Sequence, residues 1–223
     1  MSTLFSESFL QRPRRELAPG AVWVPDWLST EEQRWLVDRF HEWGRGPVPP
    51  RAAKIGAGEM SVQTVCLGWH WQPYAYSREA TDVNGNRVLE FPEWMVRLGR
   101  KAILEATGDP EAAAGYTPDT ALVNYYTGDS KMGMHQDRDE QSTQPVVSIS
   151  IGDTCQFRFG NTVNRNKPYQ DISLASGDLF VFGGPSRLAY HGVTKILPGT
   201  APAACGMATG RINITMRVTG LEG

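Results

Sequence analysis

An α+β fold is predicted for this chain, with helices first and then a double-stranded β-helix (jelly roll). Two observations carry that prediction. Helix caps and helical apolar spacing fall before Gly108, and from Thr120 the texture changes to short strands separated by turns. At 223 residues the chain can enclose one sizeable core, so a single domain over 1–223 is expected.

The elements follow in order. The first 25 or so residues are rich in Pro and Arg and read as an arm packed on the domain or trailing from it. Ser29 and Glu32 have the spacing of a capping box, with Leu36, Phe40 and Trp43 at helical intervals before Gly44–Pro50 breaks the helix. Together these form a segment over 1–53. In the next segment, 54–90, Met60 to Tyr76 alternates poorly and is dense in Trp and Tyr, with an Asn84-Gly85 turn beyond. Pro92 opens a second helix, lined on one face by Trp94, Leu98 and Ala102 and ended by Gly108-Asp109-Pro110; it supports the core from 91–115. Over 116–223, strands are expected at 121–126, 146–151, 156–159, 179–182 and 211–218. No internal repeat interrupts this order.

Bulk properties bound the function. Net charge is −2, so no global basic character advertises a nucleic acid. Between Thr154 and Thr200, however, five bases (Arg158, Arg165, Lys167, Arg187, Lys195) face two acids (Asp171, Asp178), a local +3 that suits either a solvated face or phosphate contacts. Cys66, Cys155 and Cys205 have no paired spacing, so neither a disulfide framework nor a zinc site is expected. Arg14-Arg15 precedes no apolar signal core, and no apolar run reaches membrane-spanning length. A cytoplasmic monomer without membrane contact is expected.

The chemistry lies in the second half. His135 and Asp137 sit two residues apart, which on an extended segment places both side chains on one face. With the distant His191 they make a 2-His-1-carboxylate set, which suits Fe(II) and leaves positions open for a co-substrate and oxygen. Alone, His-x-Asp is a weak signal, as readily a surface histidine beside a turn acid. The C-terminal strand strengthens it. Ile212, Ile214, Met216 and Val218 form one face, and Arg211, Asn213, Thr215 and Arg217 the other. Two arginines and an asparagine on one face can grip a dicarboxylate, although Arg211 and Arg217 stand about 20 Å apart along a strand and would serve its ends separately. On the strand at 121–126, Asn124 and Tyr126 share a face and offer neutral donors, while Tyr126 would equally suit the core.

At these residues the chain resembles the AlkB family of Fe(II)/2-oxoglutarate-dependent nucleic-acid dealkylases, most closely its bacterial DNA repair members. The resemblance rests on Asn124-x-Tyr126, His135-x-Asp137-x-Asp139-Glu140, Pro145–Ser150, Gly177-Asp178, Gly183-Gly184-x-Ser186-Arg187, Tyr190-His191-Gly192 and Arg211-x-Asn213-x-Thr215-x-Arg217. Upstream, Met60-Ser61-Val62, Leu67-Gly68-Trp69 and Tyr74-x-Tyr76-Ser77 look like its base-recognition segment, so the similarity runs from about Met60 to Val218. It implies a jelly-roll core (116–223) holding the metal and a nucleotide-recognition lid (54–90).

It also implies roles. Iron would sit on His135, Asp137 and His191. Arg211 with Asn124 and Tyr126 would take the far carboxylate of 2-oxoglutarate, and Asn213 with Arg217 the near one. Within the aromatic cluster Trp69, Trp71, Tyr74 and Tyr76, which by composition suits a core as well as a base platform, the resemblance has Trp69 stack the alkylated base against His135. Tyr76 would contact the phosphate backbone. Asp139, otherwise part of a polar turn, would read the exocyclic amine and favour a cationic base. Arg165 would lie near the substrate unless it is a plain surface arginine, and Lys131 is a phosphate contact on charge alone. The implied reaction is oxidative dealkylation of 1-methyladenine or 3-methylcytosine type lesions in DNA, single-stranded or with a flipped base. It consumes O2 and 2-oxoglutarate and releases succinate, CO2 and an aldehyde. RNA, a protein side chain or a small molecule are alternative substrates, and a jelly roll that binds nucleic acid or a metabolite without turnover is a third reading. The segment from His191 to Arg211, with Pro198-Gly199-Thr200-Ala201-Pro202, is longer than the family pattern and is expected to alter the pocket rim.

Overall fold

A computed structural model describes residues 12–222. In chain order these form β1 (Arg15–Ala18), β2 (Ala21–Val24), α1 (Thr30–Gly44), β3 (Arg51–Ile55), β4 (Gly58–Leu67), β5 (His70–Gln72), β6 (Ala75–Ser77), α2 (Glu93–Thr107), α3 (Pro110–Gly115), β7 (Thr120–Tyr126), β8 (Met132–His135), β9 (Val146–Gly152), β10 (Thr154–Phe159), β11 (Gln170–Leu174), β12 (Leu179–Phe182), β13 (His191–Leu197) and β14 (Arg211–Arg217). An eight-stranded sheet runs β1-β2-β12-β9-β14-β7-β4-β3, a four-stranded sheet runs β11-β10-β13-β8, and β5-β6 is a separate hairpin. The architecture is of jelly-roll type, mostly β with few helices.

Alternation sorts the large sheet into two faces. Leu179, Val181, Ile212, Ile214 and Met216 pack toward α1 and α2, against Leu36, Trp43, Met95 and Ile103. Phe180, Phe182 and Tyr126 face the small sheet and meet Phe157 and Phe159. The second interlayer space therefore has an aromatic floor, and β14 turns its polar residues toward it. The capping box at α1 is present, with Ser29 Oγ accepting from the Glu32 amide (3.2 Å) and Glu32 Oε2 accepting from the Ser29 amide (2.8 Å); such caps contribute about 1 kcal/mol. Helix α2 ends where expected, at Gly108 in the left-handed region with φ 68°.

Two sequence expectations are corrected. Part of the proposed arm, residues 1–11, lies outside the described residues, but 15–24 is a hairpin whose β2 pairs with β12 inside the large sheet. Ala21-Val22-Trp23-Val24 is buried on both faces, so it carries no alternation to betray it. Likewise Met60–Leu67 lies within a ten-residue strand paired to β7, and strands therefore precede and separate the helices. Its first half alternates, while its last four residues are all buried, which masks the period of two.

Candidate active site

Register brings the two histidines together. His191 on β13 stands directly opposite His135 on β8, with ring centroids 4.5 Å apart. Gly192 makes this approach feasible, since a Cβ there would meet the Met132 carbonyl oxygen at 2.5 Å. Each imidazole is oriented the same way. Nδ1–H of His135 donates to the Gly133 carbonyl and Nδ1–H of His191 to that of Ala189, both at 2.9 Å, which leaves both Nε2 atoms facing Asp137. Those atoms lie 3.5 Å and 3.8 Å from its carboxylate oxygens. One ligand atom from each of the three residues fits within a mutual 4.8 Å.

The electrostatics suit a cation. Burial acts to raise the Asp137 pKa, but Arg217 and then the histidines hold it far below the usual carboxylate range. Burial and then repulsion from His135 push His191 down to about 4, so it is neutral and ready to ligate at physiological pH. Burial opposes the His135 imidazolium, yet the adjacent Asp137 outweighs it and the pKa rises. Arg217 Nη2 lies 2.8 Å from Asp137 Oδ2, but off the line that a hydrogen bond needs, so that oxygen keeps a lone pair unused.

Behind the triad, β7, β9 and β14 wall a narrow inner cavity of about 40 Å³. Strand register sets Tyr126 opposite Arg211 and Asn124 opposite Asn213. Arg211 is 1% exposed; only its Nη2 is bonded, to Ser150 Oγ at 2.9 Å, while Nε and Nη1 are buried without a partner. A buried guanidinium with no acid beside it costs several kcal/mol unless an anion joins it. Tyr126 Oη reaches only the weak acceptor Met132 Sδ, at 3.7 Å. Asn213 and Asn124 are braced by Ser148 Oγ and Thr64 Oγ1, each at 2.8 Å. These orphaned cationic donors beside a triad of two imidazoles and a carboxylate fit Fe(II) and 2-oxoglutarate.

The inner cavity opens past His135, Asp137 and Arg217 into a wider cleft of about 740 Å³. Trp71, Tyr74, Lys131, Asp139 and Arg165 line it. Trp71 Nε1 donates to Asp139 Oδ2 at 2.9 Å, which fixes the acid against the aromatic wall. Tyr74, at the hairpin turn with φ 72°, is 81% exposed. Lys131 and Arg165 are exposed, as a phosphate contact requires.

Two expected substrate residues fall elsewhere. Trp69 is 7% exposed and does not line the cleft; its Nε1 donates to Asp119 Oδ2 at 3.2 Å, and the Arg78 guanidinium covers its ring at 3.8 Å. Gly68, just before it, is held at φ 75° so close to the Asp119 carbonyl that a Cβ would meet its oxygen at 2.0 Å, and Trp69 lies against the same residue. Tyr76 is tied to Glu140 and Arg217 rather than to the cleft. Trp71 and Tyr74 take their places on the wall. They differ from the named pair only by two positions along the hairpin, so no periodicity separates them. No residue of 198–210 lines either space, contrary to the expected effect on the rim; Asp153 instead clamps that segment through the amides of Thr200, Ala201 and Gly210.

Comparisons with known proteins agree with this geometry. The sequence model of the 2OG-Fe(II) oxygenase superfamily matches residues 20–217. An alpha-ketoglutarate-dependent dioxygenase AlkB homolog of Caulobacter vibrioides is 51% identical, over 90% of this chain and 88% of that protein. The DNA N(6)-methyladenine demethylase ALKBH1D of Arabidopsis thaliana is 33% identical over 90% of this chain, which spans about half of that protein's length. The solved structure of OsALKBH1 superposes with a TM-score of 0.79 at 32% identity, covering 91% of this chain and all of the other. The chain therefore belongs to the 2OG-Fe(II) oxygenase superfamily and, within it, to the AlkB family: it is a dioxygenase with an iron site at His135, Asp137 and His191 that uses 2-oxoglutarate and oxygen.

Proposed function

We propose that this enzyme removes alkyl groups from the bases of DNA, with single-stranded or flipped-out 1-methyladenine and 3-methylcytosine type lesions as its substrates. The observation that carries the reading is the cleft itself. It places an aromatic wall, Trp71, and a carboxylate, Asp139, beside the metal ligand His135, with exposed cations at the rim. A ring stacked on Trp71 would lie against the acid, which favours a cationic alkylated base over its neutral parent. Names of relatives support the substrate class, since the Arabidopsis protein is a DNA demethylase.

Iron with 2-oxoglutarate and oxygen supplies the oxidising equivalents for hydroxylating the N-alkyl carbon, after which the product loses an aldehyde without further help. The chain's own residues bind and orient. Arg211 and Tyr126, deep in the roll, hold the far carboxylate of 2-oxoglutarate with Asn124; Asn213 and the free Nε of Arg217 serve the near one. The hairpin β5–β6 serves as the lid of the cleft, with Tyr74 at its tip. Lys131 and Arg165 contact phosphates, and Trp71 takes the stacking role first expected of Trp69. The protein acts as a monomer, and its three buried free thiols suit the reducing cytoplasm.

A methylated-oligonucleotide panel tests this: 1-methyladenine, 3-methylcytosine and N6-methyladenine, each in single and double strands, with succinate and restored base measured together. The cationic lesions in single strands should turn over fastest. The relative's name favours a second reading, the neutral N6-methyladenine. Faster turnover of that base, or of the same lesions in RNA, would reassign the substrate.

A further inference from the structure

Between the hairpin and the mouth of the roll, five side chains form a closed, buried network. Glu140 lies at its centre with no exposed side-chain surface. Its Oε2 accepts from Arg187 Nη2 at 2.9 Å, and its Oε1 accepts from Arg217 Nη1 at 3.0 Å and from the Tyr76 hydroxyl at 2.5 Å. Arg217 Nη1 also donates to Tyr76 Oη at 3.1 Å, while its Nη2 stands 2.8 Å from Asp137 Oδ2. Arg187 reaches the same metal ligand from the other side: Nη1 donates to the Asp137 backbone carbonyl at 2.6 Å, and Nε anchors on the Gln144 carbonyl at 2.8 Å. Both the main chain and the side chain of Asp137 are thus held by guanidinium groups that share one carboxylate.

The charges sum to zero, two arginines against Asp137 and Glu140, as a buried cluster requires. Tyr76 adds no charge. It adds direction, because it donates to Glu140 while accepting from the arginine that faces Asp137. Among the described residues it is also the network's only member from the hairpin β5–β6.

We infer that Tyr76 and Glu140 are positioning residues for the metal ligand Asp137: through Arg217 they set the aim of its carboxylate, and they make the seating of the hairpin part of the metal site's geometry. This rests on the iron site and not on the nucleic-acid reading, so its test needs no oligonucleotide. Partners that orient metal ligands are worth about 10–100-fold in metal affinity.

The experiment strips the full-length protein of metal and titrates it with Co(II) without oxygen, reading the visible d–d absorption and, alongside, the melting temperature. Glu140→Gln keeps the shape but removes the shared charge; Co(II) affinity should fall about 10-fold or more, with a changed band. Tyr76→Phe keeps the ring and loses one hydroxyl; affinity should fall by a few-fold, in the same direction and with little change in melting temperature. Ala75→Ser, on the same strand but with its side chain outside the network, should match the wild type. If Glu140→Gln does not fold, Tyr76→Phe decides alone. A Tyr76→Phe protein with wild-type Co(II) affinity and spectrum overturns the inference, and a loss confined to melting temperature reduces the network to structural packing.

Discussion

The inner cavity and the outer cleft share His135 and Asp137 but are built from different kinds of backbone. The inner walls are paired strands of both sheets, and their polar side is β7, β9 and β14, central strands of the eight-stranded sheet with continuous register on both sides of β14. The outer walls are mixed: strand residues of β4, β7 and β8 form one side, while the other is a hairpin of two three-residue strands, with its 81%-exposed turn residue Tyr74, and loops that include the exposed Arg165. A central strand cannot slip without moving every side chain to the wrong face, so the co-substrate half of the site is fixed by the fold. The hairpin and loop side of the cleft is adjustable, because its residues answer to local turns and side-chain bonds. One chemistry can in this way be kept while the base that meets it varies.

The sharpest way to test that division is to remove the shared element. Replacing His135, Asp137 or His191 with Ala should abolish turnover and the high-affinity Fe(II) site. The melting temperature should change little for the two histidines, whereas Asp137→Ala should lower it as well, because it leaves Arg187 and Arg217 buried against a single carboxylate. Turnover that persists in thoroughly metal-stripped wild type would falsify the iron assignment.

A smaller and more selective effect is expected from the inner wall. Arg211→Lys replaces a planar fork with a point charge. Losing a charge-assisted hydrogen bond costs about 1.5–3 kcal/mol, roughly 10- to 100-fold in affinity. The 2-oxoglutarate requirement should rise by that factor while oligonucleotide binding stays unchanged. An unaltered 2-oxoglutarate titration would mean that Arg211 faces another anion.

The outer wall should give the smallest loss on the site and the clearest contrast between neighbours. Trp71→Ala should weaken binding of a methylated single strand by about 1–3 kcal/mol, the range for base–aromatic stacking, and spare 2-oxoglutarate. Trp69→Ala should instead cost about 3–5 kcal/mol of stability, with all activities falling together. Paired melting curves and oligonucleotide titrations distinguish them; the opposite assignment would return Trp69 to the base.

What the residues declared by themselves was the chemistry and the walls that hold it. His135-x-Asp137 with His191, and the alternation of Arg211, Asn213 and Arg217 against Ile212, Ile214 and Met216, could be read directly, because a strand's period of two is a property of the chain itself. The helix from Thr30 and the helix ended by Gly108 were legible for the same reason: their caps are local. Strands buried on both faces, such as Ala21–Val24, carry no such period, so nothing in the sequence distinguishes this one from an arm.

Only the tertiary structure buries Trp69 and turns Trp71 to the cleft, two residues of one type and one parity. Trp69 bonds Asp119 under Arg78 and Trp71 bonds Asp139, contacts that no spacing encodes. The tertiary structure alone also joined Tyr76 to Glu140, 64 positions away, and through Arg217 to the metal ligand. Local sequence can fix which way a strand residue faces. Which distant group a hairpin side chain meets is set only when the layers pack, because an unpaired buried polar atom is costly and most therefore pair with whatever the fold has brought near.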